Sequence, residues 1–434
     1  MIDMTRKNKI LIICITALSI LIFVIIIYNR KKTTVLRLGT YSGSSWNVPN
    51  AKENKVIDNA IKRFEKENPN VKVEYESGIP KDDYSDWLSE NIIKGTQPDV
   101  FIIPENDFNL LASTNALMKL DGKVNNIIDT NDFYGSTFKS GQYGGSQYAL
   151  PFESNPTMMC INKDLLEKEG IKIPDSSWTL DDFYNICSKL TRDTDNNGII
   201  DQFGSTDYTW QMAIAATGSK IFNDEGTKAY FNTTPVKKSL NFISQLNKLS
   251  GNYKVTSDDF DEGHVAFSPM TLAQYRTYKP YPYHVSKYST FSWTCVKMPS
   301  LEKNINGTQL STSLFGVSSK TKNARLSWKF LKLLCDDDNT QQEVFATSQG
   351  TSVLKRVMES SATKSLLKDD DFGSNALSVD TLNTMMDNAV NEPKFKKYNS
   401  VEEKADYLIT KAISNNNIDT ELANIQKSIE DELK

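Results

Sequence analysis

The chain has 434 residues, with 50 Lys and Arg against 54 Asp and Glu, a formal net charge of −4, and 39% apolar and 24% charged residues. That length holds two or three domains and a sizeable core, and the composition excludes both a disordered chain and a multispanning one. The charge is unevenly spread. Residues 1–32 hold six basic residues and one acid, Asp3, which leaves 44 basic and 53 acidic residues, a net of −9, on residues 33–434. An acidic body repels phosphate backbones, so nucleic acid is not an expected partner.

Ile10 to Tyr28 form 19 uncharged positions rich in Ile and Leu. As a helix rising about 1.5 Å per residue, such a run spans the roughly 30 Å hydrocarbon core of a bilayer. It ends in Tyr28-Asn29-Arg30-Lys31-Lys32 with no small-residue cleavage site, and Cys14 stands too near its start for lipid attachment. Residues 1–32 therefore read as an uncleaved transmembrane anchor rather than a cleaved signal peptide. Basic residues flank both ends, so their count does not set the orientation. The five cysteines, Cys14, Cys160, Cys187, Cys295 and Cys335, show no C-x-x-C and no zinc spacing, and free buried thiols are expected.

Strand and helix signals then alternate. Val35 to Tyr41 alternates like a strand; Val56, Ile57, Ala60, Ile61 and Phe64 recur at helical spacing until Pro69 stops them. Val71 to Tyr75 predicts a second strand, Tyr84, Trp87, Leu88 and Ile92 a second helix, and Asp99 to Ile103 a strand covered on both faces. This order implies a parallel sheet with right-handed crossovers. Ligands sit outside the carboxyl ends of such strands, which points to Tyr41 to Trp46 and to Pro104-Glu105-Asn106. Further on, residues 144–153 read as a turn and a strand, Asn162 to Glu169 as a helix, and Thr179 with Asp182 as a capping box. Ser327 to Leu334 and most of the tail from Asp380 read as helical.

Several segments together resemble the extracellular solute-binding proteins of ABC importers, in particular the carbohydrate-binding family that includes maltodextrin-binding proteins. They are Phe64-Glu65-Lys66-Glu67-Asn68-Pro69-Asn70-Val71-Lys72-Val73, Gly95-Thr96-Gln97-Pro98-Asp99-Val100, Tyr148-Ala149-Leu150-Pro151 with Ile161-Asn162-Lys163-Asp164-Leu165, Gly263-His264-Val265-Ala266-Phe267, and Ser327-Trp328-Lys329-Phe330-Leu331-Lys332-Leu333-Leu334 ahead of Gln341-Gln342. Each is weak alone; their order across residues 35–400 is specific. The resemblance implies two α/β lobes joined by several crossing strands, closing as a hinge on a solute that passes to a membrane permease. It assigns residues 33–150 and 297–345 to one lobe, and 151–296 and 346–434 to the other. It also implies a monomer on the extracytoplasmic face of the cell membrane, with no cofactor required and no bond made or broken.

A sugar site needs aromatic faces for the C–H side of the ring and planar polar groups for its hydroxyls. The candidates are Tyr41 and Trp46 after strand one, Glu105 and Asn106 after strand three, Glu153 in the crossing strand, and Trp210 and Trp293 as stacking platforms. For Glu153, support of the hinge is an equal alternative. Residues 275–293 hold seven aromatics, read either as a wall of the cleft or as a Pro-rich loop packed by its own tyrosines. Asp193, Asp195, Asn197, Gly198 and Asp201 match the first nine positions of a calcium loop, but position twelve is Gly204 where a bidentate Glu belongs. The loop thus reads either as a structural calcium site completed from elsewhere or as a bare Asp-rich turn. The rival functions are an anchored glycan-active enzyme with two carboxylates, or a solute sensor. Against the enzyme, neither His264 nor His284 sits in a nucleophile or metal pattern.

Overall fold

β1 (Thr34–Gly39), β2 (Val71–Tyr75) and β3 (Val100–Ile103) run parallel, with helices Lys55–Glu67 and Lys81–Lys94 between them. The computed structural model describes residues 15–22, 33–48, 54–251, 253–277, 291–303, 305–369 and 377–434. Helix Lys55–Glu67 buries Ile57, Ala60 and Phe64, spaced to share one face, and stops at Asn68 ahead of Pro69. β3 is buried at every position, as a strand flanked on both edges and both faces must be. A tight ribbon, β4 (Gln142–Tyr143) with β5 (Ser146–Gln147), turns through Gly144 and Gly145 at φ 54° and 77°. Two successive positive φ values suit glycine, which has no Cβ to clash.

β6 (Ala149–Asn162) is the spine of the molecule, buried along all 14 residues. Its first half pairs with β10 (Leu310–Val317); its second half pairs with β8 (Val265–Thr271) and β9 (Trp293–Val296). With β7 (Phe203–Ser205) beside β8, one sheet runs in the order β2-β1-β3-β10-β6-β8-β7, with β9 also on β6. The register between β6 and β10 shifts between Ser313 and Leu314, a bulge that leaves Phe152 unpaired beside Glu153. A third passage lies along β6, where Ser154 and Thr351 exchange backbone hydrogen bonds of 3.0 and 2.7 Å. Two lobes are therefore joined by β6, β10 and the stretch around Thr351.

Core membership divides the chain. The first cluster gathers Leu36, Phe64, Phe101, Leu150, Phe315 and Leu331, and also takes Val353, Leu354 and Val357. The second gathers Ile161, Phe183, Trp210 and Phe267, takes Met298, and is covered by helices Tyr398–Ser414 and Ile418–Leu433. A third, around Met158, Cys160, Phe260 and Met386, also holds Phe345 and Met358. The Thr179–Asp182 capping box is present, each side chain bonding the other's backbone N–H.

The expectation of free thiols is overturned for one pair. Cys160 and Cys295 sit directly opposite in the β6–β9 ladder and form a disulfide, while Cys187 and Cys335 are free and buried. Nothing in the linear spacing marks the pair, because they stand 135 positions apart in sequence and only the antiparallel register brings them together. Such a bond persists in an oxidising compartment, outside the cytoplasm. Most of the apolar run, and Cys14 with it, lies outside the described residues. Residues 15–22 are helical and expose Ile15, Leu18, Ile20, Leu21 and Ile22. Among the described residues no helix is long and apolar enough to cross a membrane.

Candidate ligand-binding cleft

The carboxyl ends of β1 and β3 open onto the junction of the lobes, and two crevices lie there. One, of about 510 Å³, is lined by Thr40, Tyr41, Gly43 and Ser45 after β1, by Phe152 and Glu153 of β6, and by Thr347, Ser348 and Gln349. The other, of about 440 Å³, lies between Pro104, Glu105 and Phe108 of the first lobe and Asn391, Glu392 and Lys394 of the second, floored by Leu310 to Thr312.

At the first crevice the polar groups hold one another. Glu153 is 2% exposed, and its Oε1 accepts from Trp46 Nε1 at 2.9 Å and from the Gly350 N–H at 2.6 Å. A Cβ on Gly350 would stand 2.5 Å from that oxygen, so glycine is required for the approach. Behind it, Arg276 Nη1 donates to the carbonyls of Phe345, Ser348 and Gly350 at 3.0, 2.9 and 2.6 Å, and the guanidinium lies 4.7 Å from the Phe345 ring. Burial pushes Arg276 down to about 10, opposed by the charge of Glu153. Burial also pushes the Tyr41 phenol above its ordinary value; a hydrogen bond with Ser45 opposes this, and the charges of Glu153 and Glu105 add to it.

At the second crevice the groups are less committed. Lys394 Nζ lies 5.7 Å from the Phe108 ring, reaching from one lobe to the other. Desolvation lowers its ammonium, with Glu392 and Glu105 opposing. Desolvation raises the Glu392 carboxyl, which Lys394 counters and Glu105 and Glu402 reinforce. Asn399 Nδ2 donates to the Asn106 carbonyl at 2.8 Å, a direct contact between the lobes.

Of the residues selected from sequence, Tyr41 and Glu153 line the first crevice, Trp46 is buried beside it on Glu153, Glu105 lines the second, and Asn106 takes part through its backbone. Trp210 and Trp293 line neither crevice. Trp210 is 4% exposed in the second core, its indole N–H on Asp406 at 2.7 Å. Trp293 is 8% exposed on β9, meeting the Tyr275 ring edge-on at 5.3 Å. Of the aromatic stretch 275–293, residues 278–290 lie outside the described residues. The cleft residues that linear reading passed over are Gly350, Asn391, Glu392 and Lys394.

The Asp193 loop is surface-exposed and bonds mainly to itself. Asp193 accepts from the Asn197 and Gly198 N–H groups, Asp195 from Asn197, and Asp201 from Thr194. Asp193, Asp195 and Asp201 bring one oxygen each within 4.8 Å of one another. A side chain at position twelve is excluded, since a Cβ on Gly204 would stand 2.5 Å from Cys187. The loop thus supplies part of a calcium sphere and lacks its bidentate member.

Two α/β lobes on three passages, with crevices at the carboxyl ends of the strands, define a two-lobed solute-binding fold. The chain belongs to the bacterial extracellular solute-binding protein family, whose profile matches residues 59–370. Over 184 residues it is 30% identical to binding proteins of Brucella abortus (strain 2308) and Brucella suis biovar 1, a match spanning 41% of this chain and 43% of each relative. In fold it is similar to the sugar-binding protein MalE of Xanthomonas citri, with TM-score 0.75 and 14% identity over 92% of this chain and 97% of that one. It is likewise similar to the cyclic alpha-maltosyl-1,6-maltose binding protein of Arthrobacter globiformis, with TM-score 0.74 and 16% identity over 93% and 99%. A Listeria monocytogenes ABC substrate-binding protein solved with cycloalternan gives TM-score 0.67 and 18% identity over 93% and 98%.

Proposed function

We propose that the chain binds a carbohydrate between its lobes and delivers it to an ABC permease, as a receptor and not as an enzyme. The observation that carries this reading is the polar crevice at the strand ends between Glu105 and Phe108 of one lobe and Asn391, Glu392 and Lys394 of the other, floored by the hinge strand β10. The three structural relatives support it, two of them named as sugar-binding proteins and the third solved with cycloalternan. Tyr41 and Trp46 serve the first lobe's side, and Glu105, Glu392 and Lys394 the outer end. Glu153 acts by holding Trp46 and the Gly350 turn.

The basic, apolar N-terminal segment tethers the body to the membrane with the cleft outside, consistent with the oxidised Cys160–Cys295 pair. The body works as a monomer. The Asp193 loop lies on the surface and takes no part in solute binding; a calcium ion there has a structural role only. Thermal-shift screening of the purified chain against saccharides tests the central claim. A solute at about 100 times its Kd stabilises by about 2.7 kcal/mol. If no saccharide shifts the transition while a peptide does, the carbohydrate assignment fails. Release of reducing ends from a glycan panel, abolished by one carboxylate substitution, overturns the receptor reading. Extraction of the chain from membranes by alkaline carbonate overturns the tether.

A further inference from the structure

We infer that the outer crevice selects its solute by charge, taking a saccharide that carries an amine and rejecting one that carries a carboxylate or phosphate. This rests on the carbohydrate reading above and adds the class of sugar.

Glu105 from one lobe and Glu392 from the other face the same space of about 440 Å³. The cation beside them, Lys394, is already engaged, its ammonium held against the Phe108 ring and set among those two carboxylates. Two negative charges against one positive charge leave the space electronegative, and the charge of Glu402 acts on Glu392 in the same sense. A second observation is independent of charge. Asn391 lines the crevice, and its Nδ2 donates to the Ser136 carbonyl at 2.5 Å, which fixes the orientation of the amide. Its Oδ1 is then buried without a donor among the described residues. An unpaired buried acceptor next to surplus carboxylates asks for a ligand rich in N–H donors and positive in charge. An ammonium supplies both; a carboxylate supplies neither and adds repulsion.

The test is titration calorimetry on the full chain in non-ionic detergent with two matched sets. The first is the β-1,4-linked glucosamine disaccharide, cellobiose and cellobiouronic acid; the second is 1,4-diaminobutane, 1,4-butanediol and succinate. Near 20 mM salt, affinity is expected to fall about 10-fold at each step from amine to neutral to acid, and the steps shrink near 500 mM salt as screening sets in. Glu392→Gln narrows the gap between amine and acid without reversing it. An acid that binds as tightly as its neutral partner in either set, or steps that ignore salt, overturns the inference. If only the four-carbon set binds, with the amine preferred, the charge selection stands and the carbohydrate reading fails. Binding by no member of either set overturns both.

Discussion

The two ends of the cleft are built on opposite principles. At the hinge end, the buried Glu153 accepts through Oε1 from Trp46 and the Gly350 N–H, and Arg276 donates to the Gly350 carbonyl. At the outer end, Glu105, Glu392, Lys394 and Asn391 face each other across the lobes with charge left over and an acceptor unfilled. A buried, hydrogen-bonded carboxylate fixes geometry, whereas carboxylates at an open crevice stay free to meet a ligand. On the proposed reading, the first end sets where the lobes stand, and the second meets the solute they close on.

The comparison breaks most sharply at Glu153. Glu153→Ala leaves the Trp46 and Gly350 donors buried and Arg276 without its counter-charge, and is expected to cost about 3–5 kcal/mol in urea unfolding. A cost below about 1 kcal/mol shows that the network is not what orders the hinge. Cys160→Ser asks whether rigidity near β6 depends on the disulfide further along the strand. With the cysteines 135 positions apart in sequence, a loss of about 2–5 kcal/mol is expected. Added reductant then has no effect on the variant's melting temperature but lowers that of the parent. Trp46→Phe removes one donor and keeps the ring, for about 1 kcal/mol; a larger loss assigns the indole a packing role as well.

At the outer end the sign of the pH response is the probe. Desolvation raises Glu392 in the folded state, so the native chain holds that proton more tightly than the unfolded one. Stability is thus lost as pH rises from the ordinary glutamate value of about 4.3 through the raised value. Glu392→Gln flattens that part of the profile and gains stability above it; a variant profile parallel to the parent's rules out a desolvated carboxyl. The smallest effect is expected at the Asp193 loop. Calcium titrated by calorimetry should bind no tighter than about 1 mM, the weak end of extracellular sites. Micromolar binding reveals a ligand arriving from outside the loop.

Much of the first lobe was legible because its signals are local. Helix Lys55–Glu67 follows from the spacing of Ile57, Ala60 and Phe64, and the two strand-end loops follow from the β-α-β order. The same rule located Tyr41 and Glu105 at the crevices. Trp210 and Trp293 show where it fails. A tryptophan's identity does not say which way it faces, and here cores claim both rings. Lys394 and Glu392 carry no local signal; they matter because a segment after Val390 is laid against Phe108, nearly 300 residues earlier in the chain.

The sequence by itself determined an acidic α/β body behind a basic apolar segment, the strand-helix order, and the family that order implies. These are set by periodicity and composition, which every short window of chain reports. Only the tertiary structure decided that Cys160 meets Cys295, that Glu153 is tied to Trp46 and Gly350, and that Glu105 faces Glu392 across the cleft. Each is a contact between distant segments, fixed by strand register and lobe closure, and free energies of that kind are not written in any one stretch of residues.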